Sequence, residues 1–212
     1  IVGLASYGKT TYESGYNSGI GSNGLTSARH DLLNKKYSIA YPETFEPSLP
    51  GDVVYIGGKS LTDTVEITDG NAAFQTSIGS LILSPTRTYA PVIKKLLQHN
   101  FNAIKGLIHC SGGGQTKCMK YMPEGVGVIK DNLFEPPEIF RLIQKASVAD
   151  DREMYQVFNM GCRFEIYTDI ERAGEIIETA GRFNLPAQII GRVEQSSEKE
   201  LIIKTGEVEI RY

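Results

Sequence analysis

Short apolar runs and helically spaced apolar stripes share the chain, separated by stretches rich in glycine and proline. "IVGLAS" at Ile1–Ser6 is a continuous apolar run and predicts a strand. A long polar, glycine-rich loop, "YGKTTYESGYNSGIGSNG", follows it. Ser22 or Asn23 is placed to cap a helix running from about Leu25 to Asn34. Lys35–Pro50 holds three prolines and reads as an extended excursion, and "GDVVYIGG" as a strand ending in a turn. "NAAFQTSIGSLIL" is ambiguous and reads as helical at its start. "SPTRTYAPVIKKLLQHNF" opens with two prolines and becomes an amphipathic helix with Val92, Ile93, Leu96 and Leu97 on its apolar face.

The second half alternates more clearly. "AIKGLIHCSGGG" predicts a strand leaving into a glycine loop, "QTKCMKYM" a short helix, and "GVGVIKD" a strand. "PPEIFRLIQKAS" reads as a helix with proline in its first turn. "DDREMYQVFNMG" reads as another, acidic at its start and ended by glycine. "CRFEIYTD" alternates as a strand, "ERAGEIIETAGRFN" is amphipathic, and "AQIIGRVEQ" and "ELIIKTGEVEIRY" predict terminal strands, as a hairpin or ladder pair. Strict βαβ alternation is absent. The pattern predicts an α/β fold of the α+β kind, a mixed sheet with helices packed on it, rather than a doubly wound parallel sheet.

The chain has 212 residues, enough to bury a sizeable core, and a net charge of −3, which argues against a broad nucleic-acid footprint. No apolar run reaches the length of a membrane span, and the first residues do not resemble a signal peptide. The start at Ile1, inside a core-like strand, is expected of a piece whose upstream part is missing. Cys110, Cys118 and Cys162 form no C-x-x-C and read as reduced thiols of a cytoplasmic protein. Three scattered histidines predict no metal site.

Two glycine loops carry the candidate chemistry. Gly19, Gly21 and Gly24 spell G-x-G-x-x-G, but no strand precedes them and the chain about 20 residues on is broken by proline, so a dinucleotide turn is not expected. "GGKS" at Gly57–Ser60 mimics the end of a P-loop, but the glycine it needs five residues before Gly58 is Val53. What remains is an anion cradle. "SNGLTSAR" and "HCSGGGQTK" both place small residues before a helix, where free backbone N–H groups and the helix dipole favour a phosphate.

In this order, "GLAS", "SNGLTSARHDLL", "LSPTRTYAPVIKKLL", "IKGLIHCSGGG", "PPEIFRLIQ" and "EMYQVFNMGCRFEI" resemble the C-terminal half of the aminoimidazole ribonucleotide synthetase family, the phosphoribosylformylglycinamidine cyclo-ligases. The resemblance runs from Ile1 to about Val193. It implies one C-terminal domain, residues 1–212, of a two-domain enzyme. The N-terminal domain, absent here, would dimerise and carry most of the contacts to ATP and Mg²⁺. The implied reaction is ATP-dependent closure of formylglycinamidine ribonucleotide to aminoimidazole ribonucleotide in purine synthesis. Related enzymes of the same architecture are the alternative: selenophosphate synthetase, thiamine-monophosphate kinase and formylglycinamidine ribonucleotide synthetase. A third reading is a binding domain that has lost catalysis.

By motif match, the resemblance implies substrate or phosphate contacts from Ser22, Asn23, Gly24, His109, Ser111, Gly112, Gly113 and Gly114, with no catalytic residue assigned. Arg87 could reach a phosphate or form a structural salt bridge. Asn159 could take part in the site or cap a helix end, with Gly161 in the left-handed conformation. Two departures stand out. The family pattern is close to "GL-x-SSG-x-HSNG"; here an insertion of about Lys9–Gly19 splits it, and Gly21 stands where the histidine belongs. Either the chain lacks that histidine's role, or a residue of the insertion (Lys9, Tyr12 or Tyr16) takes it. The other is Ser111, where a threonine often precedes the glycines; it keeps the hydroxyl.

Overall fold

The computed structural model describes residues 1–70, 72–206 and 208–212; Asn71, Glu207 and the side chain of Asn23 lie outside the described set. Strand β1 (Val2–Ala5) is buried along its whole length, as its uninterrupted apolar run predicts. Helices α1 (Leu25–Leu32) and α2 (Lys36–Ala40) follow, then strands β2 (Thr64–Asp69) and β3 (Ala72–Ser77) and helices α3 (Ile78–Ile82) and α4 (Ala90–Asn100). Next come β4 (Ile104–His109), β5 (Val126–Lys130), α5 (Glu138–Ser147), α6 (Asp151–Val157), β6 (Cys162–Thr168) and α7 (Ile170–Gly181). Strands β7 (Ala187–Ile189), β8 (Gly191–Gln195), β9 (Glu200–Thr205) and β10 (Val208–Arg211) close the chain.

The strands form two four-stranded sheets and one hairpin. The first sheet, in the order β4-β6-β1-β7, is antiparallel throughout. In the second, β10-β9-β5-β8, the β5–β9 pair is parallel and the others antiparallel, so the sheet is mixed as expected. Helices α4 and α7 cover one face of the first sheet. Val92, Leu96, Ala173, Ile176 and Ala180, at helical spacing, pack with Val2, Leu4 and Ile166. The larger core joins α1, α5 and α6 to the second sheet through Ala28, Leu32, Ile139, Ile143, Met154, Leu201 and Ile203. Asp150 starts α6 by accepting a hydrogen bond from the Glu153 N–H at 2.8 Å.

One charged contact crosses between the sheets. The Lys130 ammonium at the end of β5 lies 2.5 Å from the Glu165 carboxylate on β6, and neither side chain touches solvent. Lys130 also donates to the carbonyl and side-chain oxygens of Gln115, at 2.7 and 3.1 Å. Burial alone would lower the lysine's pKa, but the facing carboxylate reverses this and holds it above its ordinary value.

Four local expectations are corrected. "NAAFQTS" is a strand from Ala72, not a helix, with Ala72 and Ala73 exposed; its partner β2, in which only Val65 and Ile67 are apolar and alternate with exposed residues, was not foreseen. "GDVVYIGG" is not a strand: Tyr55 has φ +50°, and Ile56, Gly57 and Lys59 donate to carbonyls at the end of α1. Lys35–Pro50 is not simply extended but holds α2 and a 3₁₀ turn at Pro42–Thr44. Ser22 does not cap α1, since the chain enters it through a 3₁₀ turn, Ser22–Gly24, with no side-chain cap.

Replacing Glu165 by Gln should leave the Lys130 charge buried and unpaired, costing about 3–5 kcal/mol in urea unfolding. Replacing Lys130 and Glu165 together by Met and Leu should recover most of that loss.

Candidate functional site

Three segments distant in sequence meet at one end of the first sheet. They are the turn Gly19–Gly24 ahead of α1, the loop Ser111–Gly114 after β4, and the turn Asn159–Gly161 ahead of β6. Asn159 ties the first to the third: its amide nitrogen donates to the Gly19 carbonyl at 2.9 Å and its side-chain oxygen accepts from the Gly161 N–H at 3.0 Å. Asn159 therefore does not cap α6, whose end is closed by the Phe158 N–H on the Met154 carbonyl at 2.8 Å. Gly161 has the expected left-handed φ, +100°. Gln115 ties in the second segment by donating to the carbonyls of Asn159 and Cys162, both at 2.7 Å.

Arg163 completes the junction. It is 3 % exposed, and one terminal nitrogen donates to the carbonyls of Gly19 and Ile20, both at 2.8 Å. Its Nε is buried without a hydrogen-bond partner. Burial, with the Arg87 charge adding to it, lowers its pKa. The guanidinium occupies the space a side chain at position 21 would need: a Cβ there would lie 1.9 Å from its terminal nitrogen. Gly21 also has φ +58°, strained for other residues. A small cavity of about 10 Å³ opens beside Arg163, bounded by Gly24, Cys110, Ser111, Phe158 and Asn159, with room for one oxygen atom.

Ser22, exposed, donates its N–H to the Thr86 hydroxyl oxygen at 3.1 Å, and the two hydroxyls lie 3.3 Å apart. Gly24 is glycine for close approach: a Cβ would lie 2.8 Å from the Phe158 ring. The Ser111 N–H and hydroxyl turn back to the His109 carbonyl, at 2.8 and 3.4 Å. The N–H groups of Gly112 and Gly113 are half-buried and find no acceptor among the described residues, which leaves two donors for a ligand anion. Gly114 has φ +47°, and a Cβ would lie 2.4 Å from the Phe158 carbonyl oxygen.

The remaining candidates stand apart. His109 packs against the rings of Tyr89 and Phe164, at 5.9 and 5.8 Å, rather than at the junction. Its Nε2 is buried without a partner, and burial, then the Arg163 and Lys117 charges, lower its pKa. Arg87 spends all five N–H groups: two on Glu13 at 3.0 and 2.8 Å, and three on the carbonyls of Ala5, Tyr7 and Gly8. No donor is left for a phosphate, so its role is to pin the inserted loop. Among the inserted residues, Tyr12 bonds the Thr88 carbonyl at 3.0 Å, Tyr16 packs on Phe74, and Lys9 is exposed; none borders the cavity beside Arg163. Arg163 and Gln115 were not foreseen. The one legible signal for Arg163 was a cation in an otherwise largely buried strand, "CRFEIYT".

A larger groove of about 960 Å³ runs between the two sheets, past Leu107, Ile108, Val128, Tyr167 and Val193, and none of the candidate residues lines it. Among the described residues no three His, Cys, Asp or Glu side chains converge as metal ligands. The three cysteines are free and buried, and no helix is long and apolar enough to cross a membrane.

The family model "AIR synthase related protein, C-terminal domain" matches residues 49–204. The chain belongs to this family. Among curated relatives of this AIR synthase related chain is the phosphoribosylformylglycinamidine cyclo-ligase of Carboxydothermus hydrogenoformans, 33 % identical over 187 residues, 88 % of this chain and 46 % of the relative. That of Methanobrevibacter smithii is 34 % identical over 189 residues, 89 % of this chain and 48 % of the relative. That of Methanocaldococcus jannaschii is 35 % identical over 136 residues, 64 % and 39 % of the two chains. This AIR synthase related chain thus spans less than half the length of these relatives.

Two outcomes follow from the geometry. Gly21→Ala should cost about 1–3 kcal/mol in thermal or urea unfolding, because the new methyl meets Arg163 in a strained backbone. Because His109 has a folded pKa below its ordinary 6.5, the unfolded chain takes up the proton first on acidification. Its share of stability is complete above that value and is lost as pH falls below it. His109→Phe should flatten part of the decline in urea midpoint between neutral pH and about pH 5.5.

Proposed function

We propose that this chain is the C-terminal half of a phosphoribosylformylglycinamidine cyclo-ligase, acting on formylglycinamidine ribonucleotide. The observation that carries the reading is the meeting of "SNG", "CSGGG" and "FNMG" at one junction, where the Gly112 and Gly113 N–H groups find no acceptor among the described residues. In the reaction, ATP phosphorylates the formamide oxygen. The amidine-side nitrogen attacks that carbon and loses a proton, and phosphate departs with the former amide oxygen, closing the imidazole ring and leaving ADP. An amide oxygen leaves poorly and a phosphate leaves well, so the protein's task is positioning and charge stabilisation.

This chain's residues fit the phosphate part of that task. Ser22 and Ser111 offer hydroxyls, the Gly112 and Gly113 amides offer backbone donors, and the α1 N-terminus adds its dipole. They do not fit Mg²⁺, since no acidic cluster forms among the described residues. On this reading Mg²⁺, most ATP contacts and the homodimer interface belong to an N-terminal domain, and the enzyme works in the cytoplasm. The names of the relatives support the reading, and the absence of a helix fit to cross a membrane is compatible with it.

The test is ADP release dependent on formylglycinamidine ribonucleotide, with this chain joined to its upstream half. Turnover to aminoimidazole ribonucleotide is expected there, and negligible turnover from the 212-residue chain alone. A folded, joined protein that neither turns over nor binds the substrate would move the assignment to a related enzyme or to a binding domain.

A further inference from the structure

Among the described residues, Arg163 is a charge without a counter-charge. It forms no ion pair with a carboxylate among the described residues, whereas the other buried cations, Arg87 and Lys130, face Glu13 and Glu165. Keeping a guanidinium out of water is costly unless its charge is met. Two neutral carbonyls, of Gly19 and Ile20, satisfy part of its hydrogen bonding and none of its charge. Its Nε is left with nothing, in a side chain 97 % buried by its 3 % exposure.

We infer that Arg163 binds the phosphate group of the ligand, from the space that a side chain at position 21 would need. The small cavity at its side admits one oxygen atom, and its walls are Gly24 at the start of α1 and Ser111 at the start of the glycine loop. A phosphate seated at that mouth reaches Arg163 with one anionic oxygen and leaves its other oxygens for groups of the two glycine loops, of which Gly24 and Ser111 border the cavity. Arginine suits the role because it stays charged when buried and offers a fixed, planar set of donors. An ordered water could satisfy the Nε hydrogen bond but not the charge, and the two occupants therefore separate by experiment. The inference deepens the function proposed above by naming the phosphate contact, and it rests on that reading only for which phosphomonoester is bound.

The test uses the 212-residue chain, whose two cores close within it, and inorganic phosphate as the probe. The arginine Nε–H signals are followed by ¹⁵N–¹H NMR, with Arg163 assigned by its loss in Arg163→Lys. Phosphate should shift the Arg163 signal saturably, while chloride at equal ionic strength should not, and the Arg87 signal should stay in place under both. Arg163→Gln should weaken phosphate binding at least about tenfold, with Arg163→Lys intermediate. No shift at Arg163, or equal shifts with chloride, would overturn the assignment; the wild-type titration decides this even where Arg163→Gln fails to fold. Phosphate binding here, with a joined protein that neither turns over nor binds formylglycinamidine ribonucleotide, would remove the cyclo-ligase reading and leave this one standing.

Discussion

The Lys130–Glu165 ion pair is the constraint on which the site's geometry depends. Two charges fully removed from water would cost several kcal/mol each without compensation, so every polar atom near them has to be used. All three ammonium protons are spent, on Glu165 and on two oxygens of Gln115. The carboxylate also takes the Cys110 thiol at 3.2 Å and the Tyr167 hydroxyl at 2.8 Å. The consequence runs outward. Gln115, fixed by Lys130, has its amide nitrogen left for the carbonyls of Asn159 and Cys162. Asn159, fixed there, holds Gly19. The glycine loop, the asparagine turn and the turn before α1 are thus set by one charge pair between two sheets.

Two buried guanidiniums on this framework illustrate opposite uses of the same side chain. Arg87 is saturated: Glu13 takes its charge, and three carbonyls of the chain just after β1 take the rest. Despite its partial burial, Glu13 has a lowered pKa because Arg87 bonds its charged form. The pair serves as a clasp, and the inserted loop is folded down onto the segment leading into α4 by it and by Tyr12. Arg163 has the burial without the saturation. Spent donors and a counter-charge mark a structural arginine, and an open donor without a counter-charge marks one held for a ligand, where residue type and burial alone do not.

Much of this was legible in the sequence, and the parts that were not share a cause. β1, α4, α5, α6 and α7 announce themselves because each buries a regular apolar set against a sheet or a neighbouring helix. The hairpin β2–β3 does not, because its large apolar side chains are few: Val65 and Ile67 on β2 and Phe74 on β3. "GDVVYIGG" misleads because Val54 and Tyr55 are buried by contact with α1, not by sheet pairing, and a positive φ at Tyr55 breaks the extended run. The loops of the candidate site were visible as glycine-rich strings before helices. Of the residues that bring them together, Asn159 was named by motif match, but Gln115 and Arg163 were not: they act through contacts across long sequence separations, and no local periodicity encodes those.

The departure at Gly21 is also more than a missing side chain. The space its Cβ would need is filled by the Arg163 guanidinium at 1.9 Å, so a histidine there and an arginine at 163 in this pose exclude one another. Read alone, Gly21 looks like loss of a functional group. Read with Arg163, it is the vacancy that lets a permanent cation enter the same small region from the neighbouring strand. Histidine at this point would carry a charge that depends on pH; arginine carries one that does not. A fold that had abandoned ligand binding would gain stability by replacing an unpaired buried cation with an apolar side chain. That position 163 holds an arginine, with Nε unpartnered among the described residues and the side chain bordering the cavity between the two glycine loops, argues that the charge is held for use.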